Sequence, residues 1–438
     1  MKQRPRAGHA PGAPAPARGW QGLALHLAAL TGPVLLVGLA AWATFGSYDH
    51  LLLALDRSSA LGPCHGPDGA RPLCDFANYY YPQGRALAIA PVALPGFFYS
   101  AFFAAWMRLY ALLPFAIARD LWAAVVVAAA LILLLAPLLR EHRRSLLGCL
   151  LHGLGFACAL PLWHDLAFGQ VSSLLTALVA LAFLAYGRER RTLAALLLGV
   201  AASIKFYPAI FAIYFGLRRD RRALLVFAGT VLTATAVLPL FVLGEAGLVA
   251  FYRSLGTGLD QLARGTAANR FSNFVANAVT HLWVGRVEPE SFFYRAALAV
   301  GLGIAGLHGW LLWRVRRARP AASARVALML GLASLPFVVR SCWVHYFVFL
   351  PLLQGYVAQG GTGPNAPRAN LWLGILPAAF SAVLVSVPLF LLVGDQRLYE
   401  AALPFWATVM LLPGLYRRVR SDPGPEASPV LNAVARAQ

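Results

Sequence analysis

Apolar residues run along this chain in long blocks, and short arginine-rich clusters separate them. The blocks cover 22–46, 117–139, 146–163, 168–186, 192–217, 223–243, 292–313, 323–358 and 371–393, with a shorter one at 399–415. A helix needs about 20 apolar residues to cross a bilayer, so each long block predicts one span or a pair of shorter helices. The clusters are "REHRR" (140–144), "RERR" (188–191), "RRDRR" (218–222), "RVRRAR" (314–319) and "RRVR" (417–420). Cytoplasmic loops concentrate Lys and Arg, and this asymmetry decides the ambiguous blocks.

If 192–217 were one span, "RERR" and "RRDRR" would lie on opposite sides of the membrane. A hairpin of two short helices, broken at "SIKFYP" around Lys205 and Pro208, keeps all five clusters inside. Short and broken helices are tolerated where they line protein rather than lipid. The same parity makes 96–113 an interfacial or re-entrant helix carrying Arg108, and it divides 323–358 at "RSCWVH", with Arg340 and His345 at the apex. The pattern predicts an all-α polytopic membrane protein with about 12 transmembrane helices, both ends cytoplasmic, and a large first extracytoplasmic loop over 47–95.

Composition agrees. Of the 438 residues, 59% are hydrophobic and only 12% charged, against roughly 25% charged in a soluble domain. Most of the net charge of +20 sits in the clusters beside apolar blocks, which argues against a nucleic-acid partner. Residues 1–21 are basic and Pro/Ala-rich and read as a disordered cytoplasmic tail. The block that follows exceeds the roughly 7–15 residues of a signal-peptide core, so it reads as an uncleaved first span. A membrane domain is expected over 22–416 and a cytoplasmic tail over 417–438.

This topology gathers the unusual polar residues on the outer side. Asp75 stands in "LCDFANYYYPQGRAL" of the first outer loop, and "LWHDLAFGQ" forms an outer turn with His164, Asp165 and Gln170. Lys205 caps the next outer turn. The outer loop 245–290 contains "RGTAANRFSN", and Arg340 and His345 complete the set. Ionisable groups in apolar surroundings are costly and mark function, and their shared side predicts an outward-facing cavity for an anionic ligand. Singly, each has a plainer reading: a solvated loop acid, a snorkelling lysine, a packed histidine, an aromatic belt. Cys64 and Cys74 share the outer loop, where an oxidising compartment permits a disulfide. Cys149, Cys158 and Cys342 read as packing thiols. No metal-ligand spacing, DxD pair, Walker loop or dinucleotide fingerprint occurs, so neither a metal nor a cofactor is expected.

The order of "FANYY" beside Asp75, "FGQVSSLL", "LLLGVAASIKFYPAIFAIYF" and "SCWVHYFVFLPLL" resembles glycosyltransferase family 87, over roughly residues 70–360. That family comprises polyprenyl-phosphate-mannose-dependent mannosyltransferases of the type-C membrane superfold. The chain departs from the family pattern at Ser172, where Asn is frequent, and at Tyr346, where a second His is frequent. The resemblance implies inverting transfer of a hexose, with mannose expected, outside the plasma (inner) membrane. The donor would be a polyprenyl-phosphate sugar and the acceptor a glycolipid or glycan. Asp75 matches the family's general base by its position after the first span. Lys205, Arg340 and His345 become candidates to meet the leaving phosphate, with Asn269 and Arg270 beside them, while Tyr79 and Tyr80 are candidates to stack on a sugar. A lipid or solute transporter or flippase is the main alternative, since it too would need a polar cavity and broken helices. A membrane polymerase or ligase for lipid-linked glycans is a closer rival, and a scaffold without chemistry leaves the converging cations unexplained.

Overall fold

A computed structural model describes residues 20–45, 65–66, 69–70, 73–140, 146–267, 272–284, 288–318, 320–358, 371–393 and 402–421. Helix dominates these residues, and β structure among them is limited to a two-residue antiparallel pair, His65–Gly66 with Gly69–Ala70, and one isolated bridge between Ala159 and Ser386. In chain order the helices are α1 (Trp20–Phe45), α2 (Tyr81–Ala86), α3 (Ala101–Tyr110), α4 (Phe115–Arg140), α5 (Leu146–Cys158), α6 (Leu160–Phe168), α7 (Ser172–Gly187), α8 (Arg191–Ile204) and α9 (Ile213–Leu217). They continue as α10 (Arg221–Leu232), α11 (Leu238–Ala267), α12 (Val275–Val284), α13 (Phe292–Val315), α14 (Pro320–Val338), α15 (Leu350–Ala358), α16 (Leu376–Leu384), α17 (Val387–Val393) and α18 (Leu403–Ser421).

The apolar blocks become helices where hydropathy places them, as an all-α membrane protein requires. Four described segments are long and apolar enough to cross a membrane: Phe115–Ala136, Arg221–Gln261, Phe292–Val315 and Pro320–Val338. A fifth arises if α6 and α7, bent by 117° at their junction, count as one broken span. Several other blocks form apolar helices of only 10–17 residues, shorter than the roughly 30 Å hydrocarbon core demands. The described helices thus contain fewer full-length spans than the dozen that block-counting suggests.

The expected break at Lys205 is present. Lys205 is extended (φ −141°, ψ 135°) between α8 and a 3-10 turn over Tyr207–Ala212 that leads into α9. The two flanking basic clusters meet. Asp220 caps α10 by accepting from the Ala223 N–H at 3.0 Å, its other oxygen accepts from the Tyr186 hydroxyl at 2.9 Å, and Arg191 Nε lies 3.7 Å from it. Arg218 donates to the carbonyls of Arg316 and Ala318, which adds a third cluster to the same end of the molecule. Close helix crossings are made at small residues, as membrane packing favours: a Cβ on Gly199 of α8 would lie 2.6 Å from Thr230 of α10.

Three segments differ from the sequence reading. Residues 162–170 are not a simple turn, because a buried helix, α6, holds His164 and Asp165 and ends at Gly169 in the left-handed conformation (φ 64°). The amphipathic segment 96–113 is helical only over Ala101–Tyr110, where Ser100 caps α3 by accepting from the Phe103 N–H. The segment after residue 244, expected to be a loop, is helical as far as Ala267. Gly244 (φ 70°, ψ 173°) interrupts that helix, a conformation that needs a residue without Cβ. The chain doubles back there, since the Tyr252 hydroxyl donates to the Thr235 carbonyl at 2.6 Å. The returning half buries Phe251 and Leu255, and its Ser254 accepts from the Ala93 N–H at 2.8 Å, so it braces the segment leading to Tyr99.

Candidate active site

Asp75 begins a π-helical turn, Phe76–Tyr80, and its placement starts two residues earlier. Leu73 takes a left-handed backbone (φ 58°), donates its N–H to the Ala167 carbonyl at 2.9 Å and accepts from the Ala77 N–H at 2.9 Å. The segment that carries Asp75 is thereby fastened to the end of α6. Trp122 of α4, fully buried, holds both partners: its ring stacks on Phe76 at 5.8 Å and 14°, and its Nε1–H donates to the Gly169 carbonyl at 2.7 Å.

Gly169 is needed twice. Its positive φ costs an L-residue roughly 1–2 kcal/mol, and an added Cβ would lie 3.0 Å from Leu73 Cβ. Gly169→Ala should lower the melting temperature in detergent and should reduce turnover in the fraction that stays folded, because Leu73 carries Asp75 with it. Unchanged melting and turnover would show that this junction tolerates a side chain.

A cavity of about 290 Å³ opens beside Asp75. Of the residues singled out from sequence, Asp75, Tyr79, Tyr80, His164, Gln170, Lys205 and His345 line it, together with Cys74. Gln170, which follows Gly169, donates from Nε2 to Asp75 Oδ2. Its Oε1 is 3.0 Å from the Tyr80 hydroxyl and 3.1 Å from that of Tyr99, and these two hydroxyls are 2.6 Å apart. Burial pushes the Asp75 carboxyl up to about 7, while the positive charge of Lys205 and the Gln170 hydrogen bond pull in the opposite direction. Burial, and then the Asp75 charge, raise the Tyr79 hydroxyl, keeping it a neutral donor.

Lys205 lies between aromatic faces. Its Nζ is 4.8 Å from the Tyr99 ring centroid and 4.5 Å from that of Tyr346, which Tyr207 backs at 5.0 Å. Desolvated cation–π contacts contribute about 2 kcal/mol. Among the described residues no carboxylate makes a salt bridge with Lys205, while its charge and that of Asp75 act on each other across the cavity. His345 is 5% exposed, and both its ring nitrogens are without a hydrogen-bond partner among the described residues. Its ring stacks at 5.6 Å on His164, which stacks at 4.2 Å on Phe168.

Other candidates lie elsewhere. Arg340 is exposed on the turn after α14, outside the cavity lining, and its carbonyl accepts from the Ser272 hydroxyl at 2.9 Å. Tyr80 is 1% exposed with its ring enclosed by Phe97, Tyr99, Phe103 and Trp122, so of the two tyrosines Tyr79 offers the more open face. Asp165 is fully buried and caps α7, with its oxygens accepting from the N–H groups of Ser172 (3.1 Å) and Ser173 (3.0 Å). Asn269, Arg270 and Cys64 lie outside the described residues. Cys74 is a half-cystine. Among the described residues no group of three or more His, Cys, Asp or Glu is placed to hold a metal.

Sequence reasoning missed Asn78, Phe98, Tyr99, Phe168 and Trp343, which also line the cavity. Asn78, Phe168 and Trp343 stand within three residues of residues it did select, so the neighbourhood was a usable signal. Tyr99 gave none, because its partners are distant in sequence.

The glycosyltransferase family 87 model matches residues 97–340. A relative from Mycolicibacterium smegmatis, a polyprenol-phosphate-mannose-dependent alpha-(1-2)-phosphatidylinositol mannoside mannosyltransferase, is 30% identical over 239 residues, or 53% of this chain and 50% of that protein. The protein of the same description from Mycobacterium tuberculosis is 28% identical over 275 residues, 60% of each chain. The matched part therefore spans half to three-fifths of these relatives' own length.

Proposed function

Because the chain belongs to glycosyltransferase family 87, we propose that it is a multi-pass membrane mannosyltransferase that takes its sugar from a polyprenyl-phosphate donor. The reaction inverts the anomeric carbon and delivers the sugar to a glycolipid or glycan hydroxyl on the outer side of the plasma membrane. About 12 membrane crossings, counting short and broken helices, with a large first outer loop closed by Cys64 and Cys74, complete the reading. The mannose-dependent relatives support the donor, and their phosphatidylinositol mannoside acceptor makes a glycolipid the first acceptor to test.

The observation that carries this reading is that Asp75 and Lys205 share one cavity. The acceptor hydroxyl gives its proton to Asp75 as its oxygen forms a bond to the anomeric carbon. The bond from that carbon to the phosphate oxygen breaks, and its electron pair leaves with the phosphate. Lys205 meets the growing negative charge, with His345 as a donor beside it and Arg340 nearer the solvent. The products are the glycoside, the polyprenyl phosphate and a proton that passes from Asp75 to water.

Purified protein given labelled polyprenyl-phosphate mannose and phosphatidylinositol mannoside should yield a labelled, larger glycolipid and free polyprenyl phosphate. Transfer from GDP-mannose alone, or movement of the lipid between leaflets with no new glycosidic bond, would overturn the proposal.

A further inference from the structure

Gln170 touches both the candidate base and the aromatic wall that carries the candidate cation. Three oxygens, those of Tyr80, Tyr99 and Gln170 Oε1, stand mutually within 2.6–3.1 Å. The two phenols supply only two protons to that triangle. One phenol donates to the other, and the second donates to Oε1. The phenols fit either orientation of the amide, and the carboxylate decides it. Reversing it would set Oε1 against an Asp75 oxygen, a clash of two acceptors whenever Asp75 is ionised. The amide therefore presents its N–H to Asp75.

The wall around this triangle is rigid. Tyr80 and Tyr99 are 1% and 5% exposed, and their rings meet edge-on at 5.1 Å and 84°. The Tyr99 ring also carries the Lys205 ammonium on its face. A continuous set of contacts thus runs from Lys205, through the Tyr99 hydroxyl and Gln170, to Asp75 Oδ2, and leaves Oδ1 to the cavity. We infer that Gln170 is a positioning residue that holds Asp75 with one oxygen toward the acceptor hydroxyl and in register with Lys205. The assignment rests on the transfer reaction proposed above. It gives Gln170 no contact with either substrate.

Tyr79, Tyr80, Tyr99, His164, Lys205 and His345 are the other titratable groups lining the cavity with Asp75. Gln170→Leu removes the N–H donated to the carboxylate, and the loss of a charge-assisted hydrogen bond corresponds to about a 10- to 100-fold fall in kcat. KM for donor and acceptor should hold within about twofold, because uniform binding is untouched. The acid limb of the rate profile should move to higher pH, since the Gln170 bond favours the ionised form of Asp75. Tyr99→Phe keeps the ring under Lys205, frees Oε1 of one partner, and should move kcat and the limb in the same direction by less. It serves as the reporter if Gln170→Leu fails to fold.

A rise in acceptor KM with kcat and the limb unchanged would make Gln170 a substrate contact and overturn the inference. So would two folded variants with unmoved profiles. Wild-type protein without any transfer would instead remove the function proposed above, so the two failures are separable.

Discussion

Asp75→Asn should leave the protein folded and inserted while lowering transfer by about 10²- to 10⁴-fold, the range lost with a general base. The amide is nearly isosteric, and its oxygen can still accept from Gln170, so the turn that carries it stays in place. It cannot take the proton from an attacking hydroxyl. The wild-type profile should carry the signature of the same group. Burial raises the Asp75 carboxyl to about 7, and the base works only when deprotonated. Activity should climb with pH through neutrality and fall about tenfold per unit below that limb. Lys205 opposes this rise, and a bound phosphate would offset the Lys205 charge. The limb seen in kcat should therefore lie at higher pH than the limb seen in kcat/KM. Rates with labelled donor from about pH 5 to pH 9 test both points. A limb in the ordinary carboxylate range, or an Asn variant of near-normal activity, would remove Asp75 as the base. Asp165 is an unlike substitute, because both its oxygens are engaged at the start of α7.

Lys205→Met should cost about 10- to 1000-fold, the range for losing a charged contact made as the leaving group departs. Methionine is unbranched and only one atom shorter, so it can pack between the Tyr99 and Tyr346 rings and the loss reports charge rather than a large void. The fall should appear chiefly in kcat, with folding and acceptor KM retained. Lys205→Arg should recover part of the rate by restoring charge, though a planar guanidinium fits the gap between rings differently. Arg340→Ala should have the smaller effect, because Arg340 is exposed and stands outside the cavity lining. Single-turnover measurements with labelled donor separate chemistry from product release. If Lys205→Met kept its rate within about twofold, the leaving phosphate would have to be met elsewhere.

The pattern of blocks and clusters made several features legible. The break at Lys205 followed from charge parity and Pro208, and the division of 323–358 from the polar apex "RSCW". The selection of Asp75, Gln170, Lys205 and His345 followed from polarity in apolar surroundings, and one cavity gathers them. Other features depend on relations that a linear pattern does not carry. Tyr99 matters through a hydroxyl that reaches Gln170, 71 positions away. Residues 162–170 looked like a turn because His, Asp, Gly and Gln interrupt an apolar run, yet burial of Asp165 against two backbone amides makes a helix affordable there. The helix beyond Gly244 had a visible signal, with Leu248, Phe251, Tyr252, Leu255 and Leu259 at helical spacing. Arg340 was grouped with the other cations by sidedness alone, which does not distinguish a cavity from its surroundings.

The cap on α7 bears on which anions this protein can recognise. A helix start ordinarily attracts a phosphate, since its first N–H groups lack partners and carry partial positive charge. Here Asp165 has plugged that socket from inside, through the amides of Ser172 and Ser173. Those two amides offer no grip to a bare anion, and Lys205 is the single lysine or arginine among the described residues lining the cavity, with too little charge around it to hold free phosphate well. Retention must then come from the rest of the molecule that bears the phosphate. Under the proposed function, a long hydrocarbon tail lying in the bilayer would supply such an anchor, whereas a small water-soluble phosphate would have none, and donors would be screened by what is attached to the charge.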